Sequence, residues 1–207
     1  MNLSPTRRSL HAVAELVLAG PQYRRTGTIR LRVIDNGFAT IREPTVAVEG
    51  DELVAEGLRI GISERTCAEL AAMLGMAAGK PEDLYKDGSG VPADEVLEVD
   101  SAAAAYLAEC FFRGDQALRL FAPQVPDEQR VLWPEHFDVG ISVDEINYGV
   151  SPGDGYLDEP YAYVGPQQPR EGSFWNAPFG ATRPMRELSD AAAVAAFFTE
   201  GRTKALP

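Results

Sequence analysis

The segment LWPEHFDVGISVDE, residues 132 to 145, carries His136, Asp138, Ser142 and Asp144 at alternate positions. On a β-strand, side chains two apart share a face and stand roughly 6 to 7 Å from one another, given a rise of about 3.3 Å per residue. The spacing predicts a strand over 131–144, with Phe137, Val139, Ile141 and Val143 on its apolar face. One of only two histidines in the chain then stands beside a carboxylate on the polar face. An imidazole titrates nearest neutrality, so in an enzyme His136 would be the general acid or base. Asp138 or Glu159 would orient it or stabilise its charge.

A second group follows in EPYAYVG, where Glu159, Tyr161 and Tyr163 alternate with Ala162 and Val164. Trp133, Tyr148, Tyr156, Phe174, Trp175 and Asn176 are near in sequence. Aromatic walls bearing a few polar groups are what small-ligand pockets are built from. Cores use the same residues, but a tyrosine hydroxyl or indole N–H needs a polar partner that a dry core rarely supplies. The expected site therefore has Tyr161, Tyr163 and Trp175 as walls and His136, Asp138 and Asn176 fixing orientation, with Glu159 alongside.

Other chemistries fit less well. His11 and Glu15 are four apart on an expected helix and so are neighbours on its surface. With His136 and Asp138 they would make a ligand set acceptable to zinc or iron, the basis for a metal-dependent enzyme as an alternative. The plainer reading is a helix-surface contact and a solvated sheet face, and no metal ligand is assigned. A Ser142–His136–Asp138 triad is rejected, because parallel side chains on one strand do not chain hydrogen bonds through an imidazole. SPGDGYLDE lacks the spacing of an EF-hand loop, and its Pro, Gly and Asp content is explained by turns. No P-loop, GxGxxG, HExxH, GxSxG or zinc-finger spacing occurs. No cofactor is specified.

The elements that must hold these residues are legible in outline. Ser4 as N-cap, Pro5 at the first helical position and Gly20-Pro21 as the stop predict a helix whose stripe is Leu10, Val13, Ala14, Val17 and Leu18. A half-buried strand with Ile29, Leu31 and Val33 inward leads to Asn36-Gly37, a strong hairpin signal. A second hairpin turns near Glu49 to Glu52, and LRIGI adds a strand. Ser63 is expected to cap a helix with Cys67, Leu70, Ala71, Leu74 and Ala78 on one face, stopped by Gly79 and Pro81. Residues 79–100 are acidic and rich in Gly, Pro and Asp, reading as a linker or a lid. A helix from Ser101 ends near Gly114, and a last helix capped by Ser189 carries Val194, Phe197 and Phe198 inward, with Gly201 beyond. The class is α+β, mainly antiparallel sheet in two strand-then-helix parts with flanking helices. A single compact domain over 1–207 is expected, with sub-parts 1–78 and 101–207 joined by the loop 79–100.

Composition bounds the rest. The 207 residues are 45% hydrophobic and 24% charged, enough for a substantial core. Arg7-Arg8 ahead of an apolar stretch imitates an export signal, but His11 and Glu15 interrupt what should be a clean apolar segment. No apolar run reaches membrane-spanning length. Cys67 and Cys110 fall in helical apolar patterns and read as buried thiols of a reducing compartment, so a soluble cytoplasmic protein is expected. The net charge of −12 is uneven. Residues 1–42 hold seven arginines against Glu15 and Asp35, leaving −17 on the remainder. An acidic whole argues against nucleic-acid binding. Arg24, Arg25, Arg30 and Arg32 read as a solvated face, or as a contact for an anionic ligand or acidic partner.

The run LHAVAELVLAG, TGTIRLR, LWPEHFDVGI, NYGVSPGD, EPYAYVGP and FWNAPFGA resembles a family of uncharacterised proteins encoded mainly by actinobacteria, most densely from Trp133 to Ala181. The resemblance implies a soluble bacterial protein and brings no activity, cofactor or residue role with it. On the residues alone, the best reading is a small-molecule-binding protein with a polar-aromatic pocket in the second part. The competing class is an interaction module or homodimer without catalysis, its exposed aromatics marking the contact.

Overall fold

A computed structural model describes residues 2–81 and 83–206. The protein is α+β: four helices accompany ten strands, and every strand ladder is antiparallel. The chain forms two compact units, one of residues 1–109 and 132–137, the other of residues 110–131 and 138–207. No described helix is long and apolar enough to cross a membrane.

The first unit is built on a helix that does not stop at Gly20-Pro21. An α-helical stretch Leu3–Ala12 runs into a π-helical turn Val13–Ala19 and continues as α-helix Gly20–Thr26. The π-turn is what lets proline into the helix. The Gly20 N–H donates to the Glu15 carbonyl five residues back, so the next partner in that pattern, for the Leu16 carbonyl, would be Pro21, which has no N–H. The Gly79 N–H fills the vacancy, donating to Leu16 at 2.9 Å. Only a glycine at position 20 lets the Gly79 carbonyl lie against the helix, since a Cβ there would collide with it. The sequence signals for a helix end thus mark a loop crossing a helix.

Strands β1 (Leu31–Ile34) and β2 (Gly37–Thr40) lie against the π-turn of this helix, in a run with β3 (Ala47–Glu49), β4 (Glu52–Ala55), β5 (Leu58–Gly61) and β6 (Val131–Trp133) ordered β6-β1-β2-β3-β4-β5. Both expected hairpins form. The first turns on Asp35-Asn36, with Gly37 already paired to Ile34, one residue before the Asn-Gly signal. The helix Cys67–Met73 is capped by Thr66 in a reciprocal box with Glu69, while Ser63 instead accepts from the Val99 N–H at 3.2 Å. Residues 79–100 are no free linker: Ala93 and Leu97 bond the backbone around that helix, and Ser9 and Thr6 of the first helix accept from Glu98 and Asp100.

The second unit is a four-stranded sheet, β10-β9-β8-β7, made of β7 (Asp138–Val143), β8 (Ile146–Ser151), β9 (Tyr161–Pro166) and β10 (Ala181–Pro184). One face takes the later turns of the helix Ser101–Phe121; the last helix, Ala191–Ala205, packs there too, capped by Asp190 and not Ser189. Gly114 and Gly201 lie inside these helices, not at their ends. A Cβ on Gly114 would stand 2.7 Å from Val150 Cγ2, and one on Gly201 would stand 2.7 Å from Val164 Cγ2. The helices come down onto the valines of the sheet, and the glycines make room for them.

Candidate functional site

The strand expected over 131–144 is two strands. Residues 134–137 form a turn, Phe137 takes a positive φ of 55°, and its N–H closes back on the Trp133 carbonyl at 2.7 Å. His136 is therefore on an exposed turn, off the strand that carries Asp138. Pro134 breaks the ladder because it brings no N–H, which is the signal the alternation overrode.

From Asp138 onward the alternation holds. Register places Asp138 and Ser151 on the same face as Tyr161, and Gly140 and Gly149 on the same face as Tyr163. This is the face turned away from the two helices. Gly140 and Gly149 are paired across β7 and β8 and leave a bare strip of backbone. The Tyr163 ring lies across that strip. A Cβ on Gly149 would stand 2.5 Å from the Tyr163 oxygen and 2.6 Å from its Cζ, and one on Gly140 would stand 2.9 Å from that oxygen. So laid down, the Tyr163 hydroxyl donates to the Asp138 carboxylate. Burial first, and the Asp138 charge second, hold the Tyr163 hydroxyl well above its ordinary pKa. It keeps its proton and points it at Asp138, so its oxygen is left to accept from whatever stands beyond.

Tyr161 is bonded in the same manner: its hydroxyl donates to Asp154 Oδ2 at 2.5 Å, and burial again raises its pKa. The other oxygen of Asp154 accepts from the N–H groups of Tyr156 and Leu157, at 2.8 and 3.2 Å. Asn176 pins the strand β10 from outside, accepting from the Thr182 N–H at 2.8 Å and donating to its carbonyl at 3.1 Å. Glu159 is bound by Arg186, whose Nη1 is 2.9 Å from both carboxylate oxygens. Trp175 packs edge-on against Phe174 at 4.9 Å, and Phe174 lies against Phe197 of the last helix at 5.6 Å.

Beside Tyr163 the sheet opens into a cleft of about 390 Å³. Asn147, Tyr163 and Gln167 supply neutral polar groups, Arg170 supplies the charge, and Phe179 with three prolines supplies the apolar walls. Of the expected site residues, Tyr163 lines this cleft and Asp138 sits behind it, bonded to it. Glu159, Tyr161, Trp175 and Asn176 do not line it; Tyr161 supports Phe179 from the side, ring to ring at 6.5 Å. Asn147, Gln167, Arg170 and Phe179 were not among the expected site residues. Two glycines on the polar face of otherwise apolar strands were the available signal, because a strand glycine often marks close approach by another group.

The histidine–carboxylate constellation does not gather. His11 lies in the first unit, stacked on Phe137 at 5.3 Å with planes 7° apart, and its Nε2–H donates to the Pro134 carbonyl at 2.7 Å. Burial lowers its pKa. Glu15 is 2% exposed at the π-turn, where Oε2 accepts from the backbone and hydroxyl of Ser89 at 2.9 and 2.6 Å. Its carboxylate helps burial push the Cys67 thiol up to about 12. Among the described residues, no three His, Cys, Asp or Glu side chains converge as a metal ion would require. Arg24 is spent on the Gly79 and Ala77 carbonyls, and Arg30 lies over Trp133 at 5.9 Å. The chain matches no protein-family model, and neither a curated protein nor a solved structure matches it.

Proposed function

We propose that this is a cytoplasmic small-molecule-binding protein whose site is the Tyr163 cleft of the second unit. The observation that carries the reading is the two-glycine strip under Tyr163. A sheet that leaves two paired positions without side chains gives up packing there. What it gains is one phenol held flat, oriented by a carboxylate and presented at the edge of a concavity. Prolines and an aromatic ring around the rim favour a site formed before its ligand arrives. Tyr163 accepts a hydrogen bond from the ligand, Asp138 positions Tyr163, and His136 has no role in this site. The acidic surface makes nucleic acid the wrong partner.

The test is native mass spectrometry of the full chain purified without chelator, paired with a melting-temperature screen of small organic acids, polyols and amines. Binding raises the melting temperature by mass action. Retained or stabilising ligand should be lost or weakened in Tyr163→Phe, which keeps the ring and loses the oxygen. A bare chain, with no compound shifting the melt, overturns the proposal. A bare, concentration-dependent dimer would point to the exposed Tyr156 and Phe179 rings, 46% and 41% accessible, as a contact between copies.

A further inference from the structure

The chain as a whole carries 31 acidic against 19 basic residues, yet of the residues lining the cleft only Arg170 is charged. We infer that the cleft selects a small monocarboxylate with a flat apolar body, its carboxylate at Arg170 and its body against Phe179; this deepens the reading of the cleft given above and rests on it.

The first part of the argument is the state of Arg170. Its Nε and Nη2 both donate to the Ala205 carbonyl, at 3.2 and 2.9 Å, at the end of the last helix. That pair of bonds fixes the guanidinium plane and leaves Nη1 uncommitted among the described residues. A fixed guanidinium loses less freedom on binding than a mobile one, and it recognises planar carboxylates by geometry as well as charge. No acid lines the cleft; Asp138, behind Tyr163, accepts from it, and Asp144 is paired with Arg202. An anion entering the cleft meets one oriented cation and no lining carboxylate.

The second part is the apolar wall. Phe179 is 41% exposed but not loose, because Tyr156 meets it edge-on at 5.3 Å and Tyr161 lies beside it at 6.5 Å with planes 30° apart. Pro166, Pro169 and Pro178 complete a rigid apolar rim. A ring or short unsaturated chain fits such a surface better than a flexible polyol, which would have to bury hydroxyls against it. The polar remainder offers an acceptor at Tyr163 and amide groups at Asn147 and Gln167. Asn147 Oδ1 already accepts from Ser142, so what the amide adds to the cleft lining is the NH₂ as a donor. A single carboxylate takes the Arg170 charge and the Asn147 and Gln167 N–H groups, the acceptor at Tyr163 serving a donor elsewhere on the ligand, whereas a second carboxylate would find no second cation.

The experiment compares benzoate with benzamide by isothermal titration, two probes of one shape that differ in charge. Benzoate should bind at least about tenfold more tightly, and the preference should shrink as salt is added. In Arg170→Gln, which keeps an N–H donor for Ala205 but not the charge, the preference should disappear while the melting curve stays in place. Equal affinities in the native protein overturn the inference and leave the cleft as a ligand site. Absence of binding by both probes also overturns it, and the melting screen then decides the broader reading. Because the native comparison needs no variant, an unstable Arg170→Gln would not rescue the idea from either result.

Discussion

Gly149→Ala isolates the feature on which the site is built. The added methyl would stand 2.5 Å from the Tyr163 oxygen and 2.6 Å from Cζ, with the Val139 carbonyl closer still. Relieving the carbonyl contact strains the β7–β8 ladder, and relieving the ring contacts lifts the tyrosine. Overpacking of this kind costs about 1–3 kcal/mol. Lifting the ring also breaks the bond from the Tyr163 hydroxyl to Asp138, and a hydrogen bond to a charged group contributes about 1.5–3 kcal/mol. Together Gly149→Ala should cost about 2.5–6 kcal/mol on those two magnitudes. Tyr163→Phe alone should cost about 1.5–3 kcal/mol, because it removes only the bond. In the double variant that bond is already gone, so the two losses should fall short of adding by at least about 1 kcal/mol. Gly61→Ala, where a Cβ meets nothing within 4 Å, is the control and should be near neutral. Urea unfolding in a Trp133→Phe background leaves Trp175 as the sole tryptophan, a reporter inside the second unit. Strict additivity, or a Gly149→Ala loss no larger than that of Gly61→Ala, would falsify the account of the glycine strip.

Two further predictions concern the first unit. Gln22 is fully buried and makes four bonds: its oxygen accepts from the Ile41 and Arg42 N–H groups at 2.8 Å each, and its nitrogen donates to the Thr28 and Arg30 carbonyls at 3.1 and 3.0 Å. Gln22→Leu preserves bulk but takes the side-chain partner from four backbone groups, and the loss should be about 2–4 kcal/mol; a loss below about 1 kcal/mol by urea unfolding would contradict the hub. His11 is held neutral by burial, with a folded pKa below its ordinary value. The unfolded chain therefore takes up a proton below about pH 6.5 that the folded one refuses. His11's contribution should be intact above that pH and lost as pH falls toward the lowered folded value. His11→Phe keeps the stack on Phe137 and should flatten that part of the stability–pH curve. An unchanged slope in the variant would show that another group is responsible.

Much of the fold was legible because the apolar pattern is strong where strands and helices bury one face. The hairpins of the first unit, the strands around Val139 and Val164 and the inward face of the last helix all follow from periodicity of two or 3.6. Three misplaced helix ends share one cause. Gly20-Pro21, Gly114 and Gly201 carry the usual signature of a helix end, Gly or Pro beside an amphipathic run. In each case the glycine instead marks where another segment presses against the helix, a long-range fact that local sequence does not carry. A π-turn is equally invisible locally, since it is the crossing at Gly79 that supplies the carbonyl's missing partner.

The site was legible in its floor and not in its walls. Alternation put Asp138 and Tyr163 on polar faces correctly, because each belongs to a strand whose other face is packed by helices. The same rule failed for His136, two residues upstream, because Pro134 had already ended the ladder. Chemistry-bearing residue types draw attention to His136, Glu159 and Trp175, yet a turn, an ion pair with Arg186 and an edge-to-face aromatic contact account for them. The residues that shape the cleft are chemically modest: two glycines, three prolines, an asparagine and one arginine that also holds the end of a helix. Their significance is geometric. A glycine pair on adjacent strands has meaning only once register aligns positions 140 and 149, and register is fixed by the apolar face, not by the glycines. In a strand-built site of this kind, the residues missing from the polar face are as informative as those present. Where a polar face loses its side chains at paired positions, something large must lie across it, and here the ring of Tyr163 does so.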